Sequence, residues 1–272
     1  MSSGILDLYS DHMLLMSLED HQTILSFQSS EEIYPASLTK IMTAIIAIEA
    51  LDDFDETVTV SPALLKSLAE KNASVAGFLP GEQVCVRDLL YGTLLPSGAD
   101  AAVTLACRVS GSEEAFVKLM NEKARSLGMA HTHFTNATGL HNDSHVTTLD
   151  DLALLLEYAL DNGVFYRIFT AHQYQSQPTS MHPQGMMLSS TLFEKMGEGG
   201  ESGVDGQGYL KDQGWILGGK TGYTPQAGLC LATIADISDK RYLLITAGAC
   251  GDTSTAPYHV MDAVEVYSHI EK

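Results

Sequence analysis

Residues 37–40 read Ser-Leu-Thr-Lys and stand at the start of a long apolar segment, residues 38–51. In a helix, side chains at positions i and i+3 lie on one face, so the Ser37 hydroxyl and the Lys40 amine can meet. A serine becomes an effective nucleophile when a neighbour accepts its proton, and a lysine can do so once burial or a nearby cation lowers its pKa. Because such a tetrapeptide is common by chance, the rest of the chain must supply the other parts of a site.

The segments on either side of Ser37 predict a mixed fold. Residues 11–27 alternate loosely between apolar and polar and predict a two-stranded hairpin. Pro35 suits a loop that ends where a helix begins. Residues 38–51 are apolar on all sides, which is typical of a buried central helix, and Ser37 at its N-terminus would lie at the positive end of the helix dipole.

The middle of the chain predicts helices, and its last part predicts strands. The Gly-rich, acidic residues 196–208 predict a flexible excursion between strands. We therefore predict an α+β fold, in which helices flank an antiparallel sheet built from both ends of the chain and a helical region is inserted between them. The predicted elements are helices at 86–95, from Asp100 onward, at 112–127 with Ser112 as N-cap, and at 147–160; strands at 229–234 and 242–247 around a turn at 238–240; and a final helix near 257–270.

Composition excludes several classes of function. The chain has 272 residues, and its 15 basic and 34 acidic side chains give a formal net charge of −19. A surface this acidic repels phosphate backbones and anionic lipid. Nucleic-acid binding is therefore not expected. No apolar run reaches the roughly 18 residues of a membrane-spanning helix, and the N-terminus lacks the pattern of a secretory signal.

The four cysteines, at 85, 107, 230 and 250, contain no C-x-x-C pair. Cys107 and Cys230 lie in apolar runs, which predicts small buried side chains. The spacing of the cysteines leaves their pairing open.

Two further motifs follow Ser37 and Lys40 along the chain. Ser97-Gly98-Ala99-Asp100 stands at a turn between two predicted helices, and Lys220-Thr221-Gly222 follows two glycines in an alternating segment. Glycines beside such a strand suggest the close approach of a ligand or of another backbone. The order S-x-x-K, an S-x-N-like triplet, then K-T-G is that of penicillin-binding proteins and serine β-lactamases.

The flanks of these motifs make the resemblance more specific. The chain closely resembles the low-molecular-mass D-alanyl-D-alanine carboxypeptidases over roughly residues 5–270. The stretches that carry this resemblance are residues 34–44, 94–102, 134–141 and 219–228.

The resemblance implies a role for each motif residue. Ser37 would attack the carbonyl between two D-alanines with Lys40 as its general base, and Ser97 would relay the proton to the leaving D-alanine. The Ser37 and Tyr223 N–H groups would form the oxyanion hole. Lys220 would add positive charge that helps hold Lys40 neutral and attracts the substrate carboxylate. The predicted substrate-binding residues are Thr221, which would bond that carboxylate, Gly222, Tyr223 and Ala99; no metal or cofactor is implied.

The resemblance also implies an organisation and a location. Residues 1–272 are expected to form one catalytic domain of the β-lactamase and penicillin-binding transpeptidase type, with a helical subregion at about 62–165. The small C-terminal β domain of the family is expected to be absent. The implied partners are peptidoglycan stem peptides ending in D-Ala-D-Ala, and β-lactams as covalent inhibitors. An extracytoplasmic location is implied, with membrane association only through segments absent from this chain.

Ala99 departs from the family pattern, which usually has asparagine at that position. An alanine cannot hydrogen-bond the lysine or the substrate, and Asp100 is a candidate to cover part of that role. Two alternatives remain open beside the carboxypeptidase: a class A-like β-lactamase and a non-catalytic binder of stem peptides. The β-lactamase class uses a glutamate ahead of the helix opened by 147–150, and no glutamate lies between Glu122 and Glu157. We therefore expect penicillin to acylate Ser37 and stay.

Four histidines, at 131, 133, 141 and 145, cluster in a loop-like segment and raise the alternative of a metal hydrolase. No H-E-x-x-H pattern accompanies them, so a loop-fixing hydrogen bond from His141 is the favoured interpretation. The methionines of residues 181–187 are predicted to be packing residues.

Overall fold

The computed structural model describes residues 7–198, 206–210 and 214–270. The strands are β1 (His12–Ser17), β2 (Thr23–Phe27), β3 (Thr57–Thr59), β4 (Gln83–Cys85), β5 (Gln173–Gln175), β6 (Met187–Ser189), β7 (Tyr209–Leu210), β8 (Gly214–Thr224), β9 (Gly228–Ile237) and β10 (Lys240–Ala249). The helices are α1 (Thr39–Ala50), α2 (Pro62–Glu70), α3 (Val86–Leu94), α4 (Ala99–Ser110), α5 (Glu113–Ser126), α6 (Leu149–Leu160), α7 (Gly163–Phe169), α8 (Thr191–Glu198) and α9 (Tyr258–Ser268).

The two ends of the chain meet in the main sheet. Within the described residues this sheet has six antiparallel strands in the order β2-β1-β10-β9-β8-β7. β1 lies against β10, with Met13 opposite Thr246. The α+β class, the hairpin at 11–27 and the two C-terminal strands are therefore confirmed. Helices α2 to α7 lie between β2 and β7 in the chain, and the division into one domain with a subregion at 62–165 stays a prediction.

Each face of the sheet packs against helices because successive side chains of a strand point to opposite faces. On β1, Leu14 and Met16 join the larger core, which contains α1 and the inserted helices. Met13 and Leu15 join a second core with residues of α8 and α9. The sheet is consequently covered on both faces, which fixes the strands that border the site.

Helix α1 is the buried central helix that its sequence predicts. Residues 39–48 are all buried, including Lys40. Ser37 precedes α1 in a short 3-10 turn, Ala36–Leu38. The nucleophile candidate thus lies one turn ahead of the α-helix.

The predicted helix ends agree with the structure to within about two residues. Ser112 caps α5 by accepting a hydrogen bond from the Ala115 N–H at 3.1 Å. Thr148 caps α6 in the same way. Short polar strands such as β3 and β5 had no alternation long enough to be recognised.

Several sequence expectations need correction. Cys107 is only partly buried, whereas Cys230 is buried, and the four cysteines are free. Met181 and Met187 are exposed, and only Met186 of the methionine-rich segment packs against the core. Helix α8 extends into the expected Gly-rich excursion, whose residues 199–205 lie outside the described residues. No helix in the described ranges has the length and apolar character needed to cross a membrane.

Candidate active site

Lys40 is hydrogen-bonded to Ser37 at the start of α1. Its Nζ lies 2.9 Å from Ser37 Oγ and donates to the Thr138 carbonyl at 2.7 Å. Only 2% of Lys40 is exposed, and this burial lowers the pKa of Lys40 to about 7, although the charge of Asp100 acts in the opposite direction. A large fraction of Lys40 is therefore a neutral amine near pH 7 and able to accept the serine proton.

Lys220 is a second buried amine beside Lys40. Its Nζ donates to the Thr221 carbonyl at 2.7 Å. Burial lowers the pKa of Lys220 well below its usual value, and repulsion by Lys40 lowers it further. Two buried amines so close together are costly to charge at once, and the charge of Lys40 favours the neutral form of Lys220.

Ser97 lies at the strained turn between α3 and α4. Its φ is +63°, in the left-handed region that few non-glycine residues adopt. Its Oγ is buried and has no hydrogen-bond partner. A strained backbone that presents an unpaired hydroxyl is a frequent feature of functional sites.

Asp100 does not replace the missing amide at position 99. Its carboxylate accepts hydrogen bonds from the N–H groups of Ala76, Gly77 and Phe78 at 2.7 to 3.2 Å. The Ala99 N–H also donates a hydrogen bond, to the Ser74 carbonyl at 2.8 Å. The turn at 97–100 therefore anchors residues 74–78. Ser74 and the preceding residues 71–73 line one wall of the cleft.

A cleft of about 820 Å³ brings most of the predicted residues together. Lys220 is buried beneath it rather than lining it. Gly222 lies so close to the nucleophile that a Cβ there would be 3.1 Å from the Ser37 N, which agrees with the expected close approach. The predicted residues that line the cleft are Ser37, Lys40, Ser97, Ala99, Thr221, Gly222 and Tyr223.

The sequence did not reveal the supporting role of the 136–139 loop. Asn136 Oδ1 accepts hydrogen bonds from Thr138 N, Thr138 Oγ1 and Gly139 N, which fixes the loop that offers its carbonyl to Lys40. The Ala137 carbonyl accepts from Thr43 on α1 at 2.7 Å. Backbone acceptors of this kind carry no side-chain signal in a sequence.

The loop-fixing histidine is His145, and the expectation for His141 was wrong. His145 is buried, its Nε2 lies 2.8 Å from Thr39 Oγ1, and its Nδ1 accepts the Thr135 N–H at 3.0 Å. These contacts require a neutral ring with its proton on Nε2, and burial lowers the pKa of His145 to about 4. His141 instead contacts Asp143 and the Tyr34 ring. No group of metal-ligating side chains occurs among the residues that the structure describes.

The family profile described as D-alanyl-D-alanine carboxypeptidase, Peptidase_S11, matches residues 2–251. The chain belongs to this D-alanyl-D-alanine carboxypeptidase family. It is 30% identical to the carboxypeptidase DacF of Bacillus subtilis over 87% of this chain, and 31% identical to DacC of Escherichia coli over 88%. The chain spans about half the length of these two relatives, 56% of each.

Solved structures of D-alanyl-D-alanine peptidases share the fold. The Streptomyces K15 DD-transpeptidase superposes with a TM-score of 0.82 at 25% identity, covering 96% of each chain. The D-alanyl-D-alanine carboxypeptidase of Mycobacterium tuberculosis superposes with a TM-score of 0.81 at 25% identity, covering 98% of this chain and 92% of that one. The resemblance inferred from the motifs and the fold class is confirmed.

Proposed function

We propose that this chain is a serine-type D-alanyl-D-alanine carboxypeptidase, which removes the terminal D-alanine from peptidoglycan stem peptides through an acyl-enzyme on Ser37. The observation that carries the proposal is the contact of 2.9 Å between Ser37 Oγ and a buried lysine whose pKa is about 7. A lysine in that state can act as a general base at neutral pH.

In the first half of the reaction Ser37 Oγ bonds to the carbonyl carbon of the penultimate D-alanine. Lys40 takes the serine proton. The bond between that carbon and the terminal amide nitrogen then breaks, and Ser97 passes a proton to the departing amine. In the second half, water attacks the ester, releases the shortened peptide and restores the Ser37 hydroxyl.

Charge develops on the carbonyl oxygen during both halves. The N–H groups of Ser37 and Tyr223 are the proposed donors to it, and each such donor typically contributes about 3–4 kcal/mol. Gly222 permits this geometry because it has no Cβ to meet the Ser37 backbone. Thr221 is the proposed donor to the substrate carboxylate, whose negative charge would in turn favour the protonated form of Lys220 beneath it.

Ala99 lines the cleft, but its side chain can make no hydrogen bond. We therefore expect a slower enzyme than one with asparagine there, because one contact to Lys40 and to the substrate backbone is missing. Asp100 cannot compensate while its carboxylate holds residues 76–78.

We further propose that residues 1–272 act as one catalytic domain, with the helical subregion at about 62–165. β-Lactams would acylate Ser37 as covalent inhibitors. The enzyme would act outside the cytoplasmic membrane, where its substrate lies, and nucleic acid is not among its partners.

Penicillin turnover separates this proposal from the β-lactamase alternative. A class A-like enzyme needs a carboxylate that activates water against the acyl-enzyme. Among the described residues lining the cleft the acidic side chain is Asp252, and Ser254 caps its carboxylate through N–H and Oγ. We expect a stable penicilloyl adduct on Ser37, and fast catalytic release of penicilloate would overturn this expectation.

The direct test measures D-alanine release from a peptide ending in D-Ala-D-Ala, together with labelling by a fluorescent penicillin. Ser37→Ala should abolish both, whereas Ser26→Ala, at an exposed serine of β2, should change neither. Lys40→Arg should also abolish both, because arginine keeps the charge but cannot become neutral. Absence of labelling and of release in the unmodified protein would favour the binder alternative, and loss of release in a chelator would favour a metal hydrolase.

A further inference from the structure

The 136–139 loop, which offers its Thr138 carbonyl to Lys40, is held from outside by two helices. From α1, Thr43 donates to the Ala137 carbonyl at 2.7 Å. From α5, Glu113 accepts the Ala137 N–H through Oε1 at 2.9 Å. The mechanism above uses the contact between the loop and Lys40 and gives Glu113 no part.

The backbone of Ala137 depends on both helices. Ala137 is fully buried, so its N–H and its carbonyl each need a partner within the protein. Removing the Glu113 carboxylate would leave this N–H without its acceptor, and the loop would have to shift or admit water to satisfy it. Because the next carbonyl along the chain is that of Thr138, a shift at Ala137 reaches the partner of Lys40.

Helix α5 is a rigid support for Glu113. Glu113 is its first residue and follows the cap Ser112, whose Oγ accepts the Ala115 N–H at 3.1 Å. Phe116 and Met120, further along the helix, are fully buried in the larger core. A side chain on a helix fixed in this way holds its partner more precisely than one on another loop would.

The same helix holds the loop at a second point. Asn121 Oδ1 accepts the Phe134 N–H at 2.9 Å, and its Nδ2 donates to the Phe134 carbonyl at 2.8 Å. Asn121 follows Glu113 by about two helical turns. Helix α5 therefore holds residues 134–137 at both ends, and Glu113 holds the end that adjoins Thr138.

The neighbouring Glu114 separates this contact from a general effect of the helix end. Both carboxylates lie at the positive end of the α5 dipole. Glu114 is exposed, and hydrogen bonds with its own N–H and with Ser112 lower the pKa of its carboxyl. Glu113 is the one of the two that accepts from the loop. Glu114 is consequently a matched control for the charge.

We propose that Glu113 is a positioning residue for the general base Lys40. It fixes the Ala137 N–H, and this fixes the Thr138 carbonyl to which Lys40 donates. Glu113 lines a second cavity of about 510 Å³, which shares the loop with the cleft, and it acts through the loop without touching the substrate. The hydrogen-bond acceptor, rather than the negative charge, is the required property. This inference rests on the proposed function, because it takes Lys40 to be the base of acylation.

Four substitutions separate positioning from stability and from charge. Glu113→Ala removes the acceptor, whereas Glu113→Gln keeps an uncharged Oε1 in its place. Ser112→Ala removes the cap of the same helix without changing a contact to the loop, and Glu114→Ala removes the neighbouring charge. For each variant we would measure kcat and KM for D-alanine release, the rate of labelling by a fluorescent penicillin, and the temperature of unfolding.

We expect Glu113→Ala to lower kcat and the labelling rate roughly tenfold or more, because a displacement of about 1 Å at a reacting group can cost about 100-fold. KM should change much less, since the residues that bind substrate are untouched. Glu113→Gln should recover most of the rate. Ser112→Ala should unfold at a lower temperature, as loss of a cap does, yet react like the unmodified protein, and so should Glu114→Ala. Equal rates in folded Glu113→Ala and Ser112→Ala, or no recovery in Glu113→Gln, would overturn the proposal.

An observation of Lys40 itself needs no turnover and keeps the two proposals distinguishable. With an isotope label at the lysine Cε, the magnetic resonance signal of Lys40 is assigned by its loss in Lys40→Arg and compared at one pH. The signal should move in Glu113→Ala and keep its position in Ser112→Ala. A moved signal, in a protein that neither releases D-alanine nor reacts with penicillin, would refute the proposed function and support positioning by Glu113. Release of D-alanine with an unmoved signal in Glu113→Ala would support the function and refute the positioning.

Discussion

A side chain at Gly139 would clash with the 3-10 turn that contains Ser37. A Cβ at this position would be 1.7 Å from the Ala36 carbonyl oxygen and 3.0 Å from the Ser37 N. Ordinary contact begins at 3.4 Å, so Gly139→Ala requires the two backbones to separate by 3.4 − 1.7, or about 1.7 Å. The neighbouring Thr138 carbonyl, which holds Lys40, must move with them.

Two costs can be separated by a matched control. The φ of Gly139 is +84°, and alanine in that region costs about 1–2 kcal/mol. Gly128 has φ +81° with nothing within 4 Å of its ideal Cβ, so Gly128→Ala carries the conformational cost without the clash. Both variants should lose stability in thermal unfolding, and Gly139→Ala should lose more.

The activity assay isolates the effect of position. A misplacement of about 1 Å at a reacting group can cost about 100-fold in rate, so we expect Gly139→Ala to be acylated by fluorescent penicillin at least 100-fold more slowly than Gly128→Ala. Measurements are made well below the unfolding temperature of each variant. If folded Gly139→Ala and Gly128→Ala are acylated at similar rates, the 136–139 loop does not position Lys40 and the reasoning fails.

Three other predictions concern charge and hydrogen bonding. The acylation rate should rise with pH through about 7, because Lys40 must lose its proton; Asp100→Asn should move the midpoint to lower pH, and a midpoint near 10 would contradict the assignment. Ala99→Asn should raise D-alanine release roughly fivefold, the worth of one hydrogen bond, and lower release would show that the site is adapted to alanine. The pKa of His145 is 6.5 in the unfolded chain and about 4 in the folded protein, so the unfolded chain binds the extra proton in this range. The free energy of unfolding should therefore decrease as the pH falls from 6.5 to 4. Denaturant titrations should show a shallower decrease in His145→Asn.

Local patterns predicted those parts of the molecule that local interactions determine. The apolar surround of residues 39–48 predicted α1 because a helix buried on every side needs no polar stripe. Ser112 and its neighbours predicted a cap because the bond to Ala115 spans three residues. The short strands β3 and β5 escaped recognition because pairing with β4 and β6, rather than residue preference, defines them.

The same distinction between local and long-range interactions separates the site residues that the sequence predicted from those that it did not. Ser37, Lys40, Ser97 and Thr221 could be named from motifs, and the structure places them around one cleft. The Thr138 carbonyl could not be named, because every residue has a carbonyl and only the fold decides which one faces Lys40.

Long-range partners also reversed two side-chain expectations. His141 and His145 look alike in sequence, but only His145 is buried against Thr39. Asp100 stands beside the variant position, yet its carboxylate turns to the 76–78 backbone, a segment with no sequence signal for that contact.

The position of β1 between β2 and β10 has a consequence for the order in which the protein matures. Ser37 and Lys40 follow the N-terminal hairpin, but the strand that carries Lys220 is held through β9 and β10, and β10 pairs with β1. During synthesis the hairpin must wait for strands made near the end of the chain, and such distant pairings form slowly because a long loop has to close. A nascent chain therefore contains Ser37 long before the strand that carries Lys220 can complete the site around it. Covalent labelling by penicillin would then report a chain whose main sheet has formed, and a chain stopped before β10 should remain unlabelled.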